Sequence, residues 1–324
     1  MSLRTYTAGD LLTPGLWRMD AATYHGDPCA TPSLSSSIAH LLLTQSPAHA
    51  AYAHPRLRPT AEPREANRKM DLGSLAHALL LGQGRDIVEV MAADYRTVAA
   101  RQHRDAIEAD GKIPALTADL KTVARMAGAA RIQLDAHPET RPLFRADEGD
   151  AEVAVVWYEQ DEPISFKGAP IVWDSSPWCR GLLDWLSTDQ RQIVDLKTRS
   201  RAGGAHPTSA AAVIAAEGFD LKFAFYERGL VALNPDLAGR IDGLFVFLET
   251  QPPYLLSVLK LDETTKTMGR AKVQKALDIW RRCVERNEWP GYPAGIHPAI
   301  LPGWAVAQWA NAELDEQLDT GKIA

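Results

Sequence analysis

Two apolar runs separated by three residues constrain this chain more than any other feature. Arg180–Ser187 (RGLLDWLS) and Arg191–Thr198 (RQIVDLKT) flank Thr188-Asp189-Gln190, a turn-like triplet. Apolar runs of this length around so short a break predict an antiparallel hairpin. Strand side chains alternate between faces, so Asp195 and Lys197 share one face, about 7 Å apart along the strand. Asp184 interrupts the partner run between Leu183 and Trp185, where hairpin pairing sets it beside Asp195.

Two carboxylates converging at the edge of a buried region repel each other and lose hydration. The usual remedy is a divalent cation with oxygen ligands, and for an intracellular pair that is most often Mg²⁺, with Mn²⁺ able to replace it. A lysine beside such a metal can polarise a water and offset phosphate charge. Acid, then acid-x-lysine, is therefore a coherent arrangement for hydrolysing a phosphodiester. Asp-x-Lys alone is a common chance pattern and more often a solvated turn; Asp184 on the paired strand is what lifts it above that.

The rest of the chain supplies a frame. Ser33–Pro47 (SLSSSIAHLLLTQSP) predicts a short helix with serine caps, stopped by Pro47. Residues 48–67, rich in proline and charge, read as a loop. Asp71–Gly82, Asp94–Ala109 and Ala118–Ala136 have helical spacing, so the first 140 residues read as mostly α. Ala151–Glu159 is β-branched and aromatic, as a strand would be. After the hairpin come two helices ended by Gly218 and by Asn234-Pro235, then the strands IDGLFVFLET and YLLSVLKL, and a long helix over Asp262–Asn287. The expected architecture is α/β: a central mixed sheet flanked by helices. We take 1–324 as one domain, with a helical part at 1–145, the sheet-bearing core at 146–290 and a Pro/Trp-rich tail at 291–324.

Composition narrows the setting. The chain has 324 residues, 46% hydrophobic and 23% charged, with no internal repeat. Cys29, Cys179 and Cys283 are scattered without a CxxC pair, which argues against a disulfide framework or zinc finger and for a reducing cytoplasm. The first residues carry no signal peptide and no apolar run is long enough to span a membrane, so a soluble protein is expected. A net charge of −6 gives no global nucleic-acid signature, although a basic footprint can be confined to one face.

The acid, about ten residues, then DxK on paired strands resembles the PD-(D/E)XK nuclease superfamily. Within it the chain resembles the RecE-type, exodeoxyribonuclease VIII-like exonucleases, relatives of phage lambda exonuclease. SLSSSIAHLLLTQSPAHAAY is similar to that family's Ser-rich segment with its following SP, and LGSLAHALLL to its Gly-x-x-x-His helix. AEVAVVW is similar to its glutamate-bearing strand, GLLDWL and IVDLKT to its metal-binding hairpin, and FDLKFAFYERGL to the helix beyond. Together these cover roughly Leu34–Leu230.

The resemblance implies His77, Asp184 and Asp195 as metal ligands, with the Leu196 carbonyl a further one. It implies Lys197 as the catalytic lysine and Glu152 as the acid beside the site. Of the DNA-contacting helix, Tyr226 is present, but Lys222 stands where the family usually has glutamine. Lysine contacts phosphate as a point charge, without the amide's paired donor and acceptor. Arg199 and Arg201, just past the strand, are further candidates for phosphate contact; Lys266, Arg270, Lys272 and Lys275 are weaker ones. Trp157, Trp173, Trp178 and Trp185 read as core or rim aromatics.

The activity so implied is Mg²⁺-dependent hydrolysis of phosphodiester bonds from double-stranded DNA ends, 5′→3′, leaving 3′ overhangs for recombination. A ring-like homo-oligomer and a RecT-type single-strand annealing partner are implied with it, and no membrane association. Two other readings stand beside it: a nuclease of the recombination-helicase or iron–sulfur CRISPR type, and a non-catalytic DNA-end-binding protein. The scattered cysteines and the lack of a GxxxxGK[ST] motif argue against the first.

Overall fold

The computed structural model describes residues 2–10, 12–58, 72–82, 86–159, 164–166, 169–171, 176–201 and 203–319. Asp71, Trp173 and residues 59–67 of the expected loop lie outside them.

The amino-terminal part is less helical than its composition predicts. It opens with two short strands, β1 (Leu3–Thr5) and β2 (Gly15–Arg18), paired in parallel. Helix α1 (Ala21–His25) is capped by Asp20. Strand β3 (Leu34–Ser35) leads into α2 (Ser36–Thr44), whose first turn is closed by Ser35 accepting from the Ile38 N–H. Pro47 does not simply end that helix. It opens α3 (Pro47–Ala53), with Ser46 as the cap, because proline at a first helical position gives up only an N–H that would be orphaned anyway. The segment expected to be loop from residue 48 therefore begins as helix. Helix α4 (Leu72–Leu81), β4 (Ile87–Val90), α5 (Val98–Ala109), β5 (Ile113–Leu116) and α6 (Thr117–Asp135) follow. The parallel pair of β4 and β5 forms a small separate sheet.

The strands β6 (Gly149–Tyr158), β7 (Ile164–Phe166), β8 (Ala169–Ile171), β9 (Trp178–Ser187) and β10 (Gln192–Arg199) come next. Then follow α7 (Pro207–Ala216), α8 (Phe219–Leu233), β11 (Asp242–Glu249), β12 (Leu256–Lys260) and α9 (Glu263–Arg286). The central sheet runs β1-β2-β6-β9-β10-β11-β12, with β3 alongside β9. As expected, β9 and β10 are antiparallel, while β10 and β11 are parallel with α7 and α8 in the crossover between them. This is the mixed α/β architecture the sequence predicts.

Helices cover both faces. On one, α2, α8 and α9 pack Phe223, Phe225, Leu277 and Trp280 against Val153, Val155, Ile193, Phe245 and Phe247. On the other, α4 and α6 bring Leu75, Val123 and Met126 onto Trp185, Val194, Leu196, Val246 and Leu248. Each such side chain contributes about 1.5–3 kcal/mol by leaving water. Gly229 lets α8 lie close over β6: a Cβ there would stand 2.7 Å from the Trp157 ring. The basic residues of α9 belong to this packing. Arg270 pairs with Glu227 at 2.7 Å, Lys272 with Asp220 at 2.5 Å, and Lys266 is buried against the Ile241 carbonyl at 3.0 Å.

A buried charged cluster ties the amino-terminal segment to β9. Asp27 pairs with Arg180 at 3.0 Å and with His54 at 3.3 Å, and accepts from the Ser33 N–H and hydroxyl. Arg180 in turn donates to the backbone carbonyls of Tyr24 and Ser33. The chain divides into a unit over Met1–Pro290, which holds all of these elements, and a unit over Gly291–Ala324. The second contains α10 (Gly303–Asp319), on which Trp304 and Trp309 are exposed. Among the described residues, no helix is long and apolar enough to cross a membrane.

Candidate active site

The site forms where the alternation of two neighbouring strands slips. In β6, Val153 faces the α8 side of the sheet, and by period-two alternation Ala151 should too. It lies instead in the core on the α4 side. Its partner strand does the same: Leu183 faces α8 and Trp185 faces α4. The pairs Ala151↔Trp185 and Val153↔Leu183 bracket Glu152 and Asp184, and Glu152 has φ +53°, in the left-handed region. Glutamate rarely enters that region, because its Cβ crowds the following carbonyl. Left-handed backbone at one residue re-aims the strand, as a bulge does. Asp184 and Glu152 consequently sit at a junction open to helices on both faces.

Each face delivers a basic side chain to that junction. From α4, His77 places Nε2 3.2 Å from Asp184 Oδ2 and Nδ1 3.5 Å from Glu152 Oε1. From α8, Lys222 reaches Asp195 Oδ1. Lys197, two residues along β10 from Asp195, reaches the other oxygen, Oδ2. The β9–β10 ladder runs through Ile193↔Leu186 and Val194↔Trp185, and one step on Asp184 Oδ2 accepts the Leu196 N–H at 2.9 Å. Asp195 is buried, to 3% exposure, and the Asp184 side chain is 12% exposed, while the lysines remain 22% and 24% exposed.

The protonation states follow. Burial alone would raise the pKa of Asp184, but the Lys222 charge, the His77 hydrogen bond and the Lys197 charge hold it well below the usual carboxylate range. Burial works against charge on His77, and Asp184 and Glu152 outweigh it, so the imidazole is raised above 6.5. Glu152 moves up, chiefly by burial, with the His77 charge opposing. Burial disfavours charge on Lys222, yet Asp195, Tyr226 and Asp184 raise it well above the ordinary lysine value.

Beside these groups lies a cavity of about 530 Å³. Its walls include Tyr24, Ser36, His40, Asp184, Lys222 and Tyr226. Tyr226 is buried, its hydroxyl pKa pushed up to about 12 by burial. The ring fits because residue 181 is glycine: a Cβ there would stand 2.6 Å from it.

The structure brings His77, Glu152, Asp184, Asp195, Leu196, Lys197 and Lys222 together, with Tyr226 on the adjoining wall. Arg199 is turned to Glu217, 3.3 Å away, and Arg201 is exposed in the loop after β10. Trp157, Trp178 and Trp185 are all buried. Tyr24 and Ser36 were not foreseen as site residues. The serine run that opens α2 contains Ser36, but it is explained by the helix cap alone, and no local pattern marks Tyr24.

The donor set suits a hard divalent cation: two carboxylates, an imidazole and a backbone carbonyl. Asp195 Oδ2 is buried without a hydrogen bond, facing the Lys197 ammonium. Among the described residues, however, no three His, Cys, Asp or Glu side chains form a ready cation cage. Lys222 holds Asp195 Oδ1, and His77 stands between Asp184 and Glu152.

No protein-family model matches the sequence, and no curated protein is similar to it. Among solved structures, the chain is similar in fold to a candidate exonuclease from Eubacterium rectale, at 9% identity and a TM-score of 0.51, over 88% of this chain and 96% of that one. An alkaline exonuclease from Laribacter hongkongensis aligns over 66% of this chain and 97% of that one, at 13% identity and a TM-score of 0.20.

Proposed function

We propose that this chain is a divalent-cation-dependent exodeoxyribonuclease of the RecE type, hydrolysing double-stranded DNA from the 5′ strand and leaving 3′ overhangs. The observation that carries the reading is Lys197 beside Asp195 on β10, next to Asp184 on β9, at the wall of an open cavity. A fold shared with a candidate exonuclease supports it.

Asp184, Asp195 and the Leu196 carbonyl would hold Mg²⁺ or Mn²⁺, with His77 beside them. When bound, such an ion polarises a phosphoryl oxygen and makes water a better nucleophile at neutral pH. Lys197 lies against Asp195 with its amine partly open to solvent, where it orients the attacking water and offsets charge growing on the phosphate. Glu152 and His77 hold the Asp184 side of the junction and can take up a proton there. The cavity, within the size range of small-ligand sites, takes the terminal nucleotide against Tyr226 and Ser36. A ring of subunits with a locally basic inner wall reconciles DNA binding with the net charge of −6, and a RecT-type annealing protein would receive the overhang.

Linear duplexes labelled separately at the 5′ and 3′ ends test this. The 5′ label should be released as nucleotide only with Mg²⁺ or Mn²⁺, and Lys197→Met should slow release about 10²- to 10³-fold in a folded protein. Prior release of the 3′ label overturns the polarity. End binding without release under any cation favours the non-catalytic reading.

A further inference from the structure

Asp195 is unusual among the acids of the junction in carrying a separate ammonium on each oxygen. Lys197 comes from its own strand, and Lys222 from the first turn of α8 on the facing layer. With Asp184 and Asp195 ionised, two negative charges meet two positive ones, and the carboxylate pair is neutral overall. The affinity of an oxygen-ligand site for a divalent ion follows its ligand charge and rigidity. A neutral pair attracts such an ion weakly. Glutamine at 222 would still donate a hydrogen bond to Asp195 but would leave the pair with a net charge of −1.

We propose that Lys222 is a built-in counter-ion of the Asp184–Asp195 pair, which a divalent cation must displace from Asp195 Oδ1 in order to bind. The proposal rests on the metal-dependent reading given above. Several features equip Lys222 for the exchange. Its side chain lines the open cavity, and it is 24% exposed. A second resting place is at hand: the ammonium lies 5.6 Å from the Tyr226 ring centroid, within cation–π range. Glu217, paired with Arg199, adds negative charge to the same cavity wall. Lys197 differs, because the carboxylate it pairs with is on its own strand. Before the metal arrives, Lys222 partners the Asp195 oxygen that Lys197 leaves open. Metal loading is therefore tied to the movement of one side chain.

The test needs no DNA. Mn²⁺ is titrated into the full chain and followed by calorimetry and by its electron paramagnetic resonance signal, for wild type, Lys222→Gln, Lys222→Arg and Asp195→Asn. Lys222→Gln should bind Mn²⁺ about tenfold tighter or more, the scale expected when one unit charge near the ion is removed. Lys222→Arg, which keeps the charge, should stay near wild type. Without metal, Lys222→Gln should also melt below wild type, and Mn²⁺ should close the gap. Lys222→Met, neutral and of similar length, serves if the glutamine variant does not fold. Affinity in the neutral variants equal to or weaker than wild type, with binding lost in Asp195→Asn, overturns the counter-ion role alone. Absence of binding in every variant, or binding indifferent to Asp195→Asn, overturns the metal-dependent reading and this proposal together.

Discussion

The Asp27 cluster and the Asp184–Asp195 junction both bury carboxylates against cations, and they solve the same electrostatic problem in opposite ways. Asp27 is closed. Its close partners are Arg180, His54 and Ser33, each fully or nearly fully buried, and Arg180 is itself fixed by two backbone carbonyls. Arg56, one-third exposed, stands farther off at 3.8 Å, so the short contacts are all made to groups that cannot leave. At the junction the partners are side chains one-fifth to one-third exposed, an Asp195 oxygen lacks a hydrogen bond, and a cavity opens alongside. Both clusters place an acid at positive φ, Asp27 at 61° and Glu152 at 53°. Aspartate visits that region readily and glutamate does not, so the strain is concentrated at the junction. Charge that serves the fold is saturated by fixed groups; charge available for chemistry is matched by exchangeable ones.

The sharpest way to break this contrast is to remove one acid from each cluster. Asp27→Ala should strand Arg180 in the core and cost about 3–5 kcal/mol, read as a large fall in the denaturation midpoint. Asp195→Asn should cost about 1 kcal/mol or less, since both lysines can turn to water, yet abolish the proposed nuclease activity. Equal destabilisation by the two would erase the distinction. A smaller effect is expected at Glu152. Glu152→Gly relieves the left-handed backbone and should be about 0.5–1 kcal/mol more stable than Glu152→Gln, which keeps it.

The smallest effect is a dependence on pH. The folded-state pKa of His77 is raised, so its contribution to stability is full below pH 6.5 and is lost as pH climbs through the raised value. Glu152 is raised as well, and its contribution also fades with increasing pH, from about 4.5 upward. The wild-type melting temperature should therefore drift down as pH passes about 6.5, and His77→Gln should flatten that drift. A wild-type curve that rises over the same interval would contradict these directions.

The parts of this molecule legible in the sequence are those set by local pattern. The β9–β10 hairpin, α8 and α9 announce themselves through apolar runs, short breaks and caps, and so does the placement of Lys197 beside Asp195. What the pattern hides is set by distant partners or by backbone exceptions. Strands β1 and β2 are only three and four residues long; β2 becomes a strand by joining β6 far along the chain, and β1 by joining β2. Pro47 is compatible with either the end of α2 or the start of α3. The slip at Glu152 violates the alternation rule that made Asp195 and Lys197 readable, and a glutamate gives no warning of positive φ. Lys222 is visible as a residue, but its reach across a layer to Asp195 depends on how α8 crosses the sheet.

The hydrogen bond from the Leu196 N–H to Asp184 has a consequence for stereochemistry. A main-chain N–H in a sheet points across the strand at a bearing the backbone fixes, and Asp184 is tied to it. The carboxylate cannot choose its own rotamer freely; its bearing is inherited from the twist between β9 and β10. In the proposed hydrolysis, the direction from which a phosphorus atom is approached would then be a property of the backbone, copied faithfully into every molecule, and not of a side chain that must find its pose anew at each turnover.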